Sequence, residues 1–478
     1  MPTSAASCRG ANLCMGAGLR RWCLRRLVRV PGPRGWALAA LVWTGIGCAA
    51  PPTEGRLPVL SVATTGLTPT AVGARLGELT KAAFPDLEAR WDGVLAQLLA
   101  PEHVPELLAQ RVEPLRAAGI DAATRAELAG FAGALDLVGR TRLGDGHLSL
   151  DEFWLVQFLP DLTPLSGGSA LALHGHRPGA APVLLGRNLD LPGPAALQGL
   201  QAITRWQSVD GSLVSPGLAG FLGVLNGFNG DGVYAALLAA EHSPGGRASS
   251  GEERAVAFAV RAALTRDSAA GAARLLRRGT YLGSHSVLLG DAREAMVLEL
   301  PAAGAPVLRR PDSPTRPEMP WNRPGRLAAV NCLVAADVGG RCDDLGDRFR
   351  WQRLRRLAAD ADAGATSPVD LRRVLLDPLP RGHAIFNAAT VQSMIFEPAS
   401  GDLLLYAAQP DGPHLAEPLM QRYVGLARTA GSGSGHPGAW VWVLAALLLA
   451  GGAAALWHVY PARSSKRPSE TASTRSAT

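Results

Sequence analysis

"LSGGSALALHG" (165–175) decides how this chain is read. Small and apolar residues in a short run, followed after a brief break by "APVLLGRNLD" (181–190), describe two buried strands in succession. The first of them opens on Gly167 and Gly168, residues that hold an extended backbone poorly and contribute no packing. A strand that starts this way calls for an explanation in what surrounds it.

Working outward, the same signature recurs towards the C-terminus. Apolar strands alternate with glycine-rich turns in "GFLGVLNGFNGDGVYAALLAA" (220–240), "SHSVLLGDAREAMVLEL" (284–300) and "TVQSMIFEPASGDLLLYAA" (390–408). Helices with charged faces, such as "GDRFRWQRLRRLAADA" (346–361), stand between the last two groups. Upstream, residues 50–165 are rich in Ala, Leu, Glu and Arg at helical spacing, as in "AVGARLGELTKAAF" (71–84), and predict a helical N-terminal segment. Strands in runs with helices grouped between them predict an α+β layered core over 166–428, not a regular βαβ alternation.

An apolar share of 47% over 478 residues is that of a folded protein. The net charge of +7 belongs to the ends: residues 1–50 carry +7 and residues 458–478 carry +3, which leaves −3 for the part between. No basic face is expected on the folded part, and nucleic acid is not an expected partner. Residues 1–49 have an arginine-rich start, a short apolar run from Trp36 to Gly47 and then Cys48-Ala-Ala, the layout of a bacterial secretory signal. Lipidation of Cys48 and simple cleavage after Ala49 both fit. At the other end a Gly/Ser linker (429–438) precedes "AWVWVLAALLLAGGAAALWHVY" (439–460), long enough to span a bilayer and edged by Trp and Tyr. The basic tail 461–478 then places the C-terminus in the cytoplasm and the core outside, in the periplasm or at the cell surface. In that compartment Cys332 and Cys342 can pair as one disulfide, though a reduced pair is an open alternative.

Zinc, phosphate-loop and nucleophile-elbow motifs are absent, and no cofactor is expected. His174 and His176 form a lone HxH that reads as ordinary surface histidines. What remains is small and ordered. Arg187 and Asp190 sit where the strand "APVLLGRNLD" stops, and side chains three apart on a regular strand face opposite ways unless the backbone bends. Asn387 enters the strand "TVQS", where an amide can donate to a developing oxyanion.

Taken in order, "LSLDEFWLVQFLPDL", "GGSALAL", "GRNLD", "GVLNGFNGDGVY" and "TVQSMIFEPASGDL" resemble the N-terminal-nucleophile amidohydrolases of the acid ceramidase, N-acylethanolamine amidase and penicillin acyltransferase group. They also look like the phospholipase B-like relatives of that group. The resemblance covers about residues 120–410 and implies an αββα sandwich made as a precursor that cuts itself before its nucleophile. It assigns Arg187 and Asp190 to the family's site arginine and aspartate, and Asn387 to its oxyanion asparagine. The family opens this strand with a cysteine followed by Ser or Thr; here the matching place reads Gly168-Ser169-Ala170-Leu171.

Glycine has no side chain with which to attack, so covalent catalysis is unavailable at Gly168. Two neighbours carry hydroxyls. Ser169 lies on the other face of a regular strand, and Ser166 is two residues away along it. Glu241, near the end of the strand after the "GFN" turn, is a further cleft candidate. Two functions follow as expectations. One is an exported, membrane-anchored member that binds an acylated amine or lipid-like ligand without hydrolysing it. The other is a working amidase, acyltransferase or lipid hydrolase that uses Ser169 as N-terminal nucleophile.

Overall fold

The computed structural model describes residues 57–163, 167–175, 183–191, 197–240, 248–339, 342–360, 367–379, 384–407 and 419–423. The expected secretory signal with Cys48, the linker, the 439–460 stretch, the basic tail, Ser166, His176 and Glu241 all lie outside these residues. No helix among the described residues is long and apolar enough to cross a membrane.

Two sheets carry the fold. The larger has eight strands in the order β1 (Val59–Ala63), β4 (Gln201–Ser208), β5 (Gly211–Leu218), β6 (Asn226–Asn229), β7 (Tyr234–Ala239), β8 (His285–Gly290), β9 (Ala295–Leu300) and β10 (Val307–Arg309). The smaller has six, in the order β11 (Arg326–Ala329), β2 (Gly167–His174), β3 (Val183–Asp190), β12 (Thr390–Glu397), β13 (Asp402–Ala407) and β14 (Leu419–Tyr423). Neighbours are antiparallel except β1, which lies parallel to β4. That strand was not foreseen in the helical reading of 50–165. Its burial alternates, but Val59 and Ala63 are apolar on the exposed face, so "VLSVA" lacks the apolar/polar alternation that marks a half-buried strand.

The two sheets pack face to face through Ala170, Ala172 and Leu185 on one side and Phe228, Tyr234, Leu238 and Leu288 on the other. Phe396 stacks on Phe228 at 4.4 Å and on Tyr234 at 5.6 Å. Helices α1 (Pro69–Ala83), α2 (Leu87–Leu98), α3 (Val104–Leu107), α4 (Ala122–Ala132), α5 (Leu150–Gln157), α6 (Leu159–Leu162), α7 (Val256–Ala263) and α8 (Ala269–Leu276) precede or follow the strands of the larger sheet, and the helical core residues share one cluster with Leu237, Val287, Leu289 and Leu298. Helices α9 (Leu345–Asp360) and α10 (Pro368–Leu375) cover the outer face of the smaller sheet through Trp351, Leu354 and Leu371 against Leu171, Leu173 and Leu184. The order of layers is therefore α, β, β, α.

Local sequence sets the helix starts. Thr68 caps α1 with Pro69 in its first turn, Asp121 accepts from the Thr124 amide at α4, and Ser149 with Glu152 forms a reciprocal capping box at α5. Helices α1 and α4 meet backbone to backbone at Gly73 and Gly130, where an added Cβ would lie 1.8 Å from the Glu127 carbonyl oxygen and 2.0 Å from that of Thr70. No larger residue fits this crossing.

Candidate functional site

The site forms at the N-terminal end of β2, where it lies beside the C-terminal end of β3. Gly167 is the cross-strand partner of Asp190, Gly168 of Leu189, Ser169 of Asn188 and Ala170 of Arg187. Directly opposed residues share a face. Arg187 thus joins Ala170 on the face between the sheets, while Asp190 shares the helix-covered face with Asn188.

Arg187 is fully buried. Its guanidinium donates to the Leu225 carbonyl at 2.9 Å, to the Asn226 side-chain oxygen, and to the Gly167 carbonyl at 3.2 Å. Burial pulls it down to about 10, with Tyr234 and Asp190 pulling the other way, so it stays a cation at neutral pH. Asp190 ends β3 on the other face and accepts from Asn387 Nδ2 at 2.8 Å, Thr390 Oγ1 at 2.7 Å and Arg350 at 3.2 Å. Burial pushes its carboxyl up, and these donors, with the charge of Arg187 behind them, oppose that push. The turn residues Pro192 and Gly193 after "GRNLD" lie outside the described residues; beside Asp190, the register of β12 slips between Thr390 and Gln392, and the Thr390 hydroxyl reaches Asp190.

Three residues that sequence reasoning missed complete the cluster. Asn331 is buried, and its Oδ1 accepts both the Gly168 amide and the Arg350 guanidinium at 3.0 Å each. Two donors on one oxygen orient the amide, so Nδ2 turns to the Ala239 carbonyl at 2.8 Å and keeps a second hydrogen to give. Arg350 projects from α9 and also pairs with Asp347, one turn earlier. No sequence signal separates Arg350 from the four other arginines of α9, and Asn331 has no marker beyond its neighbour Cys332.

Several expectations change. At Gly168 the backbone has φ +133°, and an added Cβ would lie 1.8 Å from the Asn188 carbonyl oxygen, so no side chain fits there. A Cβ on Gly167 would instead lie 3.2 Å from the Asp190 carbonyl oxygen and 3.5 Å from Asn331 Nδ2. A side chain facing the cluster starts from Gly167, one residue before the glycine singled out in the sequence. Asn387 does not offer its amide to a ligand oxyanion, because both amide hydrogens go to Asp190 and the Ala384 carbonyl. It belongs to the cage around Asp190, and the donor facing Gly167 is Asn331. Ser169 is fully buried on the face of Asn188, which is itself held by the carbonyls of Leu375 and Ile385 and by Ser393. Its hydroxyl points away from the face of Arg187. The cluster does contain a hydroxyl, that of Thr390, but its proton goes to Asp190 and it accepts the backbone N–H of Asn387. His174 ends β2, far along the strand from Gly167. Among the described residues no group of side chains could hold a metal ion.

Cys332 and Cys342 form a disulfide, and although neither is near "GRNLD" in sequence, the chain brings them beside it. A separate cavity of about 710 Å3 lies by the outer helices of the larger sheet, floored by Glu127, Arg261 and Trp206. The Glu127 carboxylate there already takes Arg261 and the Trp206 indole N–H, and the cavity does not touch the Gly167 cluster.

Next to the anchor of Asn331, His285 on β8 is paired with Ala239. It is buried with neither ring nitrogen bonded among the described residues, and burial pushes its imidazole down to about 4. Its folded value lies below the unfolded one of about 6.5, so its contribution is intact above pH 6.5 and is lost as pH falls through 4, by about 3 kcal/mol in all. Between pH 7 and 4 the unfolding free energy of the wild type, from urea titration, is therefore expected to fall by about that much more than that of His285→Phe. An identical acid slope in both proteins would exclude His285 as the source.

No family model and no curated protein matches this sequence. Among solved structures it is similar to the ortholog of N-acylethanolamine-hydrolysing acid amidase from Caenorhabditis elegans, with 17% identity over 48% of this chain and 92% of that one and a TM-score of 0.35. It is similar also to a mutant of conjugated bile acid hydrolase from Clostridium perfringens, with 11% identity over 53% of this chain and 96% of that one and a TM-score of 0.33. Penicillin V acylase from Agrobacterium tumefaciens is a third, with 14% identity over 54% of this chain and 88% of that one and a TM-score of 0.34. These structures belong to the N-terminal-nucleophile hydrolases that the sequence resembles.

Proposed function

We propose that this protein holds the acyl group of an acylated amine or a lipid-like molecule at the N-terminal end of β2 and does not attack it. One observation carries the reading: where a nucleophile would face Asn331 and Asp190, beside the backbone carbonyl that Arg187 holds, the chain has Gly167 and then Gly168. The groups that would assist such a nucleophile are nonetheless assembled and, Arg350 apart, nearly all buried. Asn331 has an amide hydrogen to give to a carbonyl oxygen, and Arg350, 15% exposed, adds positive charge beside it. A neutral acceptor such as an amide or ester carbonyl suits this pair. The apolar 439–460 stretch would tether the protein to a bilayer, where acylated ligands are concentrated.

The alternative, a self-processing hydrolase that uses Ser169, is disfavoured because Ser169 lies two residues along β2 from Gly167, fully buried opposite Asn188 and not opposite Asp190. An intact mass spectrum of the purified protein separates the two: a chain uncut between residues 166 and 169 is expected. Two fragments meeting there would overturn the proposal. Titration with an N-acylethanolamine should give saturable binding without release of fatty acid, weakened at least tenfold in Asn331→Leu, about the value of one buried hydrogen bond. Binding that ignores this substitution would move the ligand elsewhere.

A further inference from the structure

We infer that the Cys332–Cys342 disulfide is a positioning element of the Gly167 site, so that the site is assembled only in the oxidised protein. Cys332 directly follows Asn331, and Cys342 lies three residues before α9, which carries Asp347 and Arg350. The bond therefore ties together the two chain segments that meet in the Arg350–Asn331 hydrogen bond. Both cysteines are buried, in one packed cluster with Val334, Trp321 and Trp351. Arg348, two residues before Arg350, donates through Nε to the Cys342 carbonyl at 2.6 Å, which fixes the first turn of α9 against the sulfur bridge. On the far side the chain is held independently: Glu299 of the larger sheet accepts the amides of Val334 and Ala335 at 3.0 Å each and pairs with Arg309.

This arrangement makes the consequence local. Without the bridge, Asn331 and Arg350 are joined through a connection whose freedom the disulfide removes, and the entropy of that loop opposes their meeting. The segment after Asn331 stays anchored to Glu299, and the two sheets share no covalent link through the bridge. The first bond to loosen is that between the Gly168 amide and Asn331 Oδ1. That this cluster is a ligand site rests on the proposed function. That the disulfide holds it does not, and the test uses no ligand.

Amide exchange at Gly168, resolved by fragment mass spectrometry, is the readout, compared with the amides of β7 and β8 in the larger sheet. In the full chain carrying Cys332→Ala with Cys342→Ala, exchange at Gly168 is expected to quicken about tenfold, the effect of weakening one hydrogen bond, with β7 and β8 unchanged. An unchanged Gly168 overturns the inference, as does a rise shared equally by β7 and β8, since that marks general destabilisation. If the double variant does not fold, the wild type is read after treatment with a water-soluble phosphine, which takes oxygen from water as the S–S bond is cleaved to two thiols. The same pair of outcomes decides there.

Discussion

Gly168→Cys is expected to cost the protein about 2–6 kcal/mol or to prevent folding, whereas Gly167→Cys costs under about 1 kcal/mol. At Gly168 the penalty has two sources. A φ of +133° is one that side-chain-bearing residues rarely adopt, and the Cβ would sit 1.8 Å from the Asn188 carbonyl oxygen. The atom in the way is backbone, part of the β2–β3 ladder, so it cannot rotate aside. The strand end would have to shift and break the Gly168–Asn331 bond. At Gly167 the closest contacts are 3.2 Å and 3.5 Å, which a displacement of a few tenths of an ångström relieves. Denaturant midpoints of the two variants measure the difference. Equal stability would mean that Gly168 is not held in this conformation, and that the site is centred one residue later than the structure places it.

Asp190→Ala is expected to cost about 3–5 kcal/mol. Its carboxylate is the acceptor for Arg350, Asn387 and Thr390, and it lies close enough to Arg187 to feel that charge. Removing it leaves the mostly buried Arg350 guanidinium with Asp347 and Asn331 only, and takes this acceptor from the buried Thr390 hydroxyl and the half-buried Asn387 amide, whose desolvation is then no longer offset. Asp190→Asn keeps the shape but sets an NH2 against donors, and should cost about 1–3 kcal/mol. Chemical unfolding of the two variants tests the ranking. If Asp190→Ala unfolds no more easily than Asp190→Asn, the oxygen that asparagine keeps for these donors contributes nothing and the ranking fails.

The faces of Arg187 and Asp190 were legible because both lie in one strand, where spacing alone dictates them. Their spacing of three puts them on opposite faces, and the structure uses both: Arg187 reaches the Gly167 carbonyl from between the sheets, and Asp190 flanks the same residue from the helix side. Ser169 lies on the face opposite to that of Gly168, as strand alternation dictates, and therefore on that of Gly167, two residues along. Asn387 misled, because a polar residue at a strand entry looks alike whether its amide faces a ligand or, as here, a neighbouring carboxylate. Asn331 and Arg350 were out of reach: they lie over 140 residues from Arg187 and belong to segments with no strand or motif pattern pointing at β2.

By itself the sequence determined the α+β layering and the two strands that meet at Gly167 and Gly168, because hydrophobic periodicity and the identity of a residue are local properties. The tertiary structure decided which of two adjacent glycines has room for a side chain, which asparagine faces it, and that the disulfide borders it. Those outcomes depend on distances of a few tenths of an ångström between segments remote in the chain, and such distances are fixed only when both sheets and the helices over them pack together.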